Sequence, residues 1–183
     1  MKKKDYHHGD LEVAIVTAAV QYIEENNADT LSLRQIAKTC GVSATAIYRH
    51  FANKEALFAR IATEGFMRLQ KNSEEEQAKR LEIGTLYVEF SLDNSGYFAI
   101  MFGDYIKDHR DYPALYQASH DSYEELVQAI ARSNPDLTSE QLDIIVKQRW
   151  SLMHGLAILM SKHFIDYEPN ERRQIIESIL SSP

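Results

Sequence analysis

Apolar positions recur along this chain every three or four residues. The set Leu11, Ala14, Ile15, Ala18, Tyr22 and Ile23 has the i, i+3, i+4 spacing of a buried helical stripe. The helix it predicts starts at Gly9 or Asp10 and ends near Asn26, with Asn26-Asn27-Ala28-Asp29 as the loop out. Ser32 is a good N-cap for a second helix that turns Leu33, Ile36 and Ala37 inward. Gly41 ends that helix, because glycine takes a positive φ without steric cost. Val42 plugs the corner, and Ser43 caps a third helix with Ala46, Ile47 and Phe51 as its buried positions. Two short helices hinged at a glycine, with small Ala37 where they cross, predict a helix-turn-helix.

The helical pattern continues to the end. Asn53 is placed to cap a fourth helix, with Lys54 in its first turn, running through Leu57, Ile61, Phe66, Met67 and Leu69 toward Glu74-Glu75-Glu76. Further helices are expected near 77–93, 95–107, 112–133, 138–163 and 170–181. The breaks fall at Asn94-Ser95-Gly96, Asp111-Tyr112-Pro113, Asn134-Pro135 and Glu168-Pro169-Asn170. No sustained period-two alternation bounded by turn residues signals a strand. The fold class is therefore all-α, with about nine helices.

What the apolar set leaves out carries the chemistry. On the third helix Ala44, Thr45, Tyr48, Arg49 and His50 point away from the core, short near the N-terminus and long and donor-bearing further along. That suits a helix entering a major groove N-terminus first, with the Thr45 methyl near a thymine methyl and Arg49 reaching guanine or phosphate. An ordinary αα-hairpin with a solvated polar face gives the same pattern.

Residues Asp10 to Leu57 resemble the N-terminal DNA-binding domain of TetR-family transcriptional regulators. The matching runs are Ser32-Leu-Arg-Gln-Ile-Ala, Gly41-Val-Ser, Ile47-Tyr-Arg-His-Phe and Asn53-Lys-Glu-Ala-Leu. Tyr6-His-His-Gly-Asp-Leu and Trp150-x3-His154-Gly155 further resemble the subgroup whose C-terminal region is called the WHG domain. The resemblance implies a helix-turn-helix DNA-binding domain over 1–55 and a helical effector-binding and dimerisation domain over 56–183. It implies a homodimer formed through the last two long helices, about 140–163 and 171–180, as a four-helix bundle. The partner would be a palindromic double-stranded DNA operator, from which an unknown small-molecule effector releases a repressor. In family members the residues matching Tyr48 and Lys54 contact phosphates. With Ser32, Arg34, Ser43, Ala44, Thr45, Arg49 and His50 they make up the candidate DNA contacts. A transcriptional activator, or a DNA-binding protein without an effector, fits the same sequence. The fourth helix joins the two parts, so its tilt would set the separation of two recognition helices in a dimer.

Net charge is −7 over 183 residues, which suits a DNA binder only when divided. Residues 1–60 hold eight Lys/Arg against seven Asp/Glu, and residues 61–183 hold twelve against twenty. The positive potential is kept in the N-terminal module, and a basic face need only be local to engage phosphates. Met1 to His8 reads as an arm whose lysines could reach phosphates or a minor groove, or as an ordinary solvated terminus. Adjacent His7 and His8 cannot share a helix face, so no metal is assigned there. Cys40, the single cysteine, excludes an internal disulfide; a buried packing role is expected, with a redox-sensing thiol the alternative. No run approaches the ~18 apolar residues of a membrane span, and no signal peptide is recognisable, so a cytoplasmic protein without membrane partners is expected.

The segment from Tyr87 to Tyr123 is rich in aromatic side chains. Such stripes are most often core, yet buried tyrosine hydroxyls need partners, and apolar cavities with a few polar groups are how small-molecule sites are built. Phe90, Phe98, Met101, Phe102, Tyr105, Tyr116, His120, Tyr123 and Met153 are the candidate ligand-binding residues. Trp150 and His154, four apart, are neighbours on one helix face, and His154 reads as a hydrogen-bonded core histidine. Gly155 inside the same helix costs about 1 kcal/mol relative to alanine, which points to close approach there, most simply by a partner helix. An enzyme using His120, Asp121 or His154 is the competing class. Nucleophile motifs, metal-ligand spacings and phosphate-binding glycine loops are lacking, so no catalytic residue, metal or cofactor is assigned.

Overall fold

The computed structural model describes residues 8–75 and 80–181, and regular structure among them is entirely helical. Nine α-helices are found among the described residues: α1 (His8–Glu25), α2 (Leu33–Thr39), α3 (Ala44–His50), α4 (Lys54–Glu75), α5 (Arg80–Asp93), α6 (Ser95–Phe102), α7 (Pro113–Ser133), α8 (Ser139–Ser161) and α9 (Arg172–Ser181). Short 3-10 turns occur at Ala28–Thr30 and His109–Asp111. The expected N-terminal arm, with its lysines and His7, lies outside the described residues up to residue 7. The same holds for residues 76–79, where the fifth helix was expected to begin.

The caps explain where the helices start. Ser32 Oγ accepts from the Gln35 amide at 3.2 Å, and Ser43 Oγ accepts from the Ala46 amide at 3.2 Å. Asn53 Oδ1 takes the Ala56 amide at 2.8 Å and opens α4. α8 begins with a reciprocal box in which Thr138 caps the Gln141 amide and the Gln141 side chain accepts from the Thr138 amide, satisfying two orphan donors at once.

α6 corrects the helix expected over 95–107, for it ends at Phe102. The chain turns back at Gly103, where a Cβ would lie 2.5 Å from the Ala99 carbonyl oxygen and 2.5 Å from the Tyr105 ring. Beyond it the loop docks on α4. Tyr105 meets Phe58 edge-on at 5.2 Å, and the Lys107 amide donates to Glu55 Oε1 at 3.2 Å.

α4 is the axis of the molecule, packing against α1, α5, α6 and α7. Leu57, Ile61, Phe66 and Leu69 are buried along it, whereas Met67, written into the same run, is 57% exposed. The boundary expected between 55 and 56 falls in the first turn of this continuous helix. α1 buries more than its six-residue stripe. Val16, Ala19 and Val20 are buried with Ile15 and Ile23, while Leu11, Ala14, Ala18 and Tyr22 are only half-buried. The cause is a second neighbour, because α6 packs on α1. The approach is close: a Cβ at Gly96 would stand 3.0 Å from the Val20 carbonyl oxygen.

Candidate nucleic-acid interface and cavity

The turn between α2 and α3 is built by hydrogen bonds that suit glycine. Gly41 sits at φ +67. Its amide donates to the Lys38 carbonyl at 3.1 Å, and the Val42 amide donates to the Ala37 carbonyl at 3.0 Å, the paired closure of a Schellman motif. Val42 packs against the core, Cys40 is half-buried with its thiol toward the Ala14 carbonyl, and burial pushes that thiol's pKa up. A thiol so held is a poor nucleophile.

This geometry anchors α3 through Ile47 and Phe51 and leaves its outer face open. Thr45 and Arg49 are exposed, and Tyr48 is 49% exposed. Ala44, Ala46 and His50 are half-buried. Three expectations are thus corrected by degree: Ala46 is not fully covered, and neither Ala44 nor His50 stands clear, the His50 ring lying 6.5 Å from that of Phe51. Ser32 and Ser43 spend an oxygen lone pair on their caps, and each hydroxyl keeps a proton to donate. Arg34 is exposed on α2. Lys54 donates from Nζ to the Asp29 carbonyl at 2.7 Å and lies 5.2 Å from the Phe58 ring centroid.

A chain of polar contacts ties the module to α6. Arg60 donates to Glu12 on α1 at 2.9 Å and to Glu64 at 3.2 Å, and Tyr97 on α6 gives its hydroxyl proton to Glu64 at 2.8 Å. Burial works to raise the Glu64 pKa, but hydrogen bonds from Arg68 and Tyr97 and the two guanidinium charges hold it below the usual range. Burial, and then the Glu64 carboxylate, push Tyr97 up to about 12.

Between α4, α5, α6, α7 and α8 lies a cavity of about 510 Å³, within the range of small-molecule sites. Six of the nine candidate ligand residues line it: Met101, Phe102, Tyr116, His120, Tyr123 and Met153. The other three belong elsewhere. Phe90 is 2% exposed in the core, Phe98 stacks on His154 at 5.5 Å, and Tyr105 is held by Phe58. Sequence reasoning missed Phe66 and Leu69 from α4, Ile83, Leu86 and Tyr87 from α5, His109, and Ser119, Ser122, Glu125 and Leu126 from α7. Trp150, singled out only for its spacing to His154, is also in the wall.

That spacing has a local function. Tyr87 reaches from α5 to His154 Nδ1 at 2.8 Å. Burial raises the pKa of the Tyr87 phenol, and the Trp150 indole N–H beside it acts in the opposite sense. The indole can only donate, whereas between the Tyr87 hydroxyl and His154 Nδ1 the imidazole tautomer decides which atom is the donor. Of the residues named for an enzymatic alternative, Asp121 accepts from Gln117 at 2.7 Å, and His120 lies parallel to Tyr116. Among the described residues, no group of three or more His, Cys, Asp or Glu could hold a metal ion, and no helix is long and apolar enough to cross a membrane.

Comparison with known proteins agrees with this geometry. Residues 15–61 match the family model of tetR-family bacterial regulatory proteins, and residues 81–182 match the tetracyclin repressor-like C-terminal domain. The chain is 23% identical over 171 residues to the HTH-type transcriptional regulator YobS of Bacillus subtilis strain 168, covering 90% of this chain and 84% of that protein. A solved structure from Rhodococcus sp. RHA1, of a protein of unknown function, is 26% identical and superposes with a TM-score of 0.75 over 97% of each chain. NalD of Pseudomonas aeruginosa, the secondary repressor of the MexAB-OprM multidrug efflux pump, shares the fold at 16% identity, with a TM-score of 0.65 over 94% of each chain.

Proposed function

Because the chain belongs to the TetR family of bacterial transcriptional regulators, we propose that it acts as a homodimeric repressor of a palindromic operator, released by a small molecule bound in its C-terminal part. The observation that carries this reading is α4, one unbroken helix from Lys54 beside the recognition helix to Phe66 and Leu69 in the cavity wall. A ligand that shifts those two side chains acts on the same rigid rod that seats α3, and it shifts the equilibrium only if it favours one orientation of the rod. The exposed Thr45, Tyr48 and Arg49, with Arg34 and the two capping serines, would meet the duplex. Lys54 would exchange its internal carbonyl for a phosphate. On this division residues 1–55 bind DNA and 56–183 hold the effector and the dimer contact. The repressor NalD is a neighbour in fold and favours repression over activation. We read the protein as a regulator without catalysis of its own, working in the cytoplasm.

Selection of random duplex DNA by the purified protein at a stated salt concentration tests this reading. An inverted repeat with half-sites about one helical turn apart is the expected product, and enrichment of nothing would sink it. Tyr48→Ala or Lys54→Ala should weaken binding on all sequences. Arg49→Ala or Thr45→Ala should alter base preference, by about 1–3 kcal/mol for a lost bidentate base contact. Unchanged affinity in the Tyr48→Ala, Arg49→Ala double variant would defeat the site assignment.

A further inference from the structure

The large cavity has a neighbour. A second one of about 250 Å³ lies across Leu126 and Met153, which line both. Its other walls include Gly84, Ile130, Arg149 and Leu180. The space is tight at Gly84, where a Cβ would lie 2.9 Å from Leu180 Cδ1 and 3.2 Å from Met153 Sδ. Of the two shared side chains, Met153 is unbranched and flexible, which makes it the part of the dividing wall able to change rotamer. The two chambers differ in lining. The large one is mostly aromatic and apolar, with His109, His120 and Glu125 also in its wall. The small one bears the Arg149 guanidinium, which gives one N–H to the Leu180 carbonyl oxygen at 3.1 Å out of the five donors in its planar fork.

Building on the effector reading, we propose that the ligand is an elongated amphiphilic monocarboxylate. Its apolar body fills the aromatic chamber, its chain passes Met153, and Arg149 receives its carboxylate. The reverse orientation sets the Arg149 guanidinium against an apolar chain end, and a charge facing hydrocarbon without a partner is disfavoured. A planar guanidinium pairs with a carboxylate through two parallel hydrogen bonds, so the head group contributes selectivity as well as affinity.

The test titrates the full chain with octanoate, dodecanoate, dodecanol and dodecyltrimethylammonium, each below its micelle concentration. The fluorescence of Trp150 is the readout, since it is the chain's one tryptophan and lies in the cavity wall. Dodecanoate is expected to bind at least about tenfold more tightly than octanoate or dodecanol, a gap of one decade in Kd. Arg149→Gln should bring dodecanoate down to the level of dodecanol and leave dodecanol unchanged. Arg149→Lys, which keeps the charge but not the fork, should restore part of the preference, and it stands in if the glutamine variant loses helicity. Equal binding of dodecanoate and dodecanol, tighter binding of the ammonium amphiphile, or an Arg149→Gln variant that keeps the preference would each overturn the assignment. Operator DNA in a parallel titration separates the two levels. Release by a compound without a carboxylate, with dodecanoate inert, ends this proposal and keeps the effector reading. Dodecanoate bound through Arg149 without release keeps the site and ends the effector reading.

Discussion

Tyr87 and His154 lie 67 positions apart and meet at 2.8 Å, each giving the other the partner that burial demands. Tyr87→Phe keeps the ring and removes the hydroxyl, taking from the half-buried Nδ1 its hydrogen-bond partner. The expected cost is about 1–3 kcal/mol, read from urea unfolding; an unmoved midpoint would mean the bond contributes nothing. Burial holds the His154 pKa below the ordinary 6.5. The unfolded chain therefore binds the proton more readily, and this contribution to stability is complete above about pH 6.5 and is lost as pH falls through the folded-state pKa. Wild type should lose stability on acidification from neutral pH more steeply than His154→Asn, and equal slopes would refute the linkage. The i, i+4 relation of Trp150 and His154 was legible in the sequence because helical geometry fixes it. The tyrosine they share was not, since nothing local to residue 87 says which distant helix will face it.

Helix α2 ends where it does because Gly41 at φ +67 closes the turn in open space, with no packed neighbour within 4 Å of where a Cβ would stand. Gly41→Ala should therefore cost only the conformational penalty, about 1–2 kcal/mol, and Gly41→Asn less, since asparagine tolerates the left-handed region. Thermal unfolding of the two variants checks the order, and alanine no worse than asparagine would contradict it. Gly96 differs in kind, for its added Cβ would press on the backbone of α1. Starts and stops of this sort carry signals within a few residues, and so the helix-turn-helix and most later helices were readable. α6 was overextended because Tyr105 and Ile106 continue an apolar run that the structure spends on docking to α4 instead of on another helical turn. The pocket residues of α4 went unread for a related reason: Phe66 and Leu69 look like any core pair until α7 and α8 are set opposite them.

Across the whole molecule, α8 presents Ile144, Leu152, Ile158 and Leu159, between 37% and 50% exposed, around Gly155. Among the described residues, no packed neighbour lies within 4 Å of a Cβ at Gly155. Gly155→Leu should accordingly leave a lone subunit unharmed, and even gain up to about 1 kcal/mol of helix propensity. A second copy packed at that point has no room for the new side chain. Sedimentation should then show dissociation at full helicity, whereas a variant as dimeric as wild type would remove α8 from the interface. The division of charge, readable from the sequence, leaves the acidic part of the chain to the contacts proposed for effector and dimer. Gly65 bears on the same rod from another side. It lies near the middle of the 22-residue α4 and faces α6 closely, with a Cβ there only 2.5 Å from Met101 Sδ. If that contact is a fulcrum, Leu69 stands about 6 Å from it along the axis and Lys54 about 16 Å, at 1.5 Å per residue. The helix then has a mechanical advantage of nearly threefold in favour of its N-terminal end: about 0.5 Å of travel at the cavity becomes about 1.4 Å at Lys54, so on the proposed effector reading a ligand would need only to crowd a leucine to misplace the recognition helix.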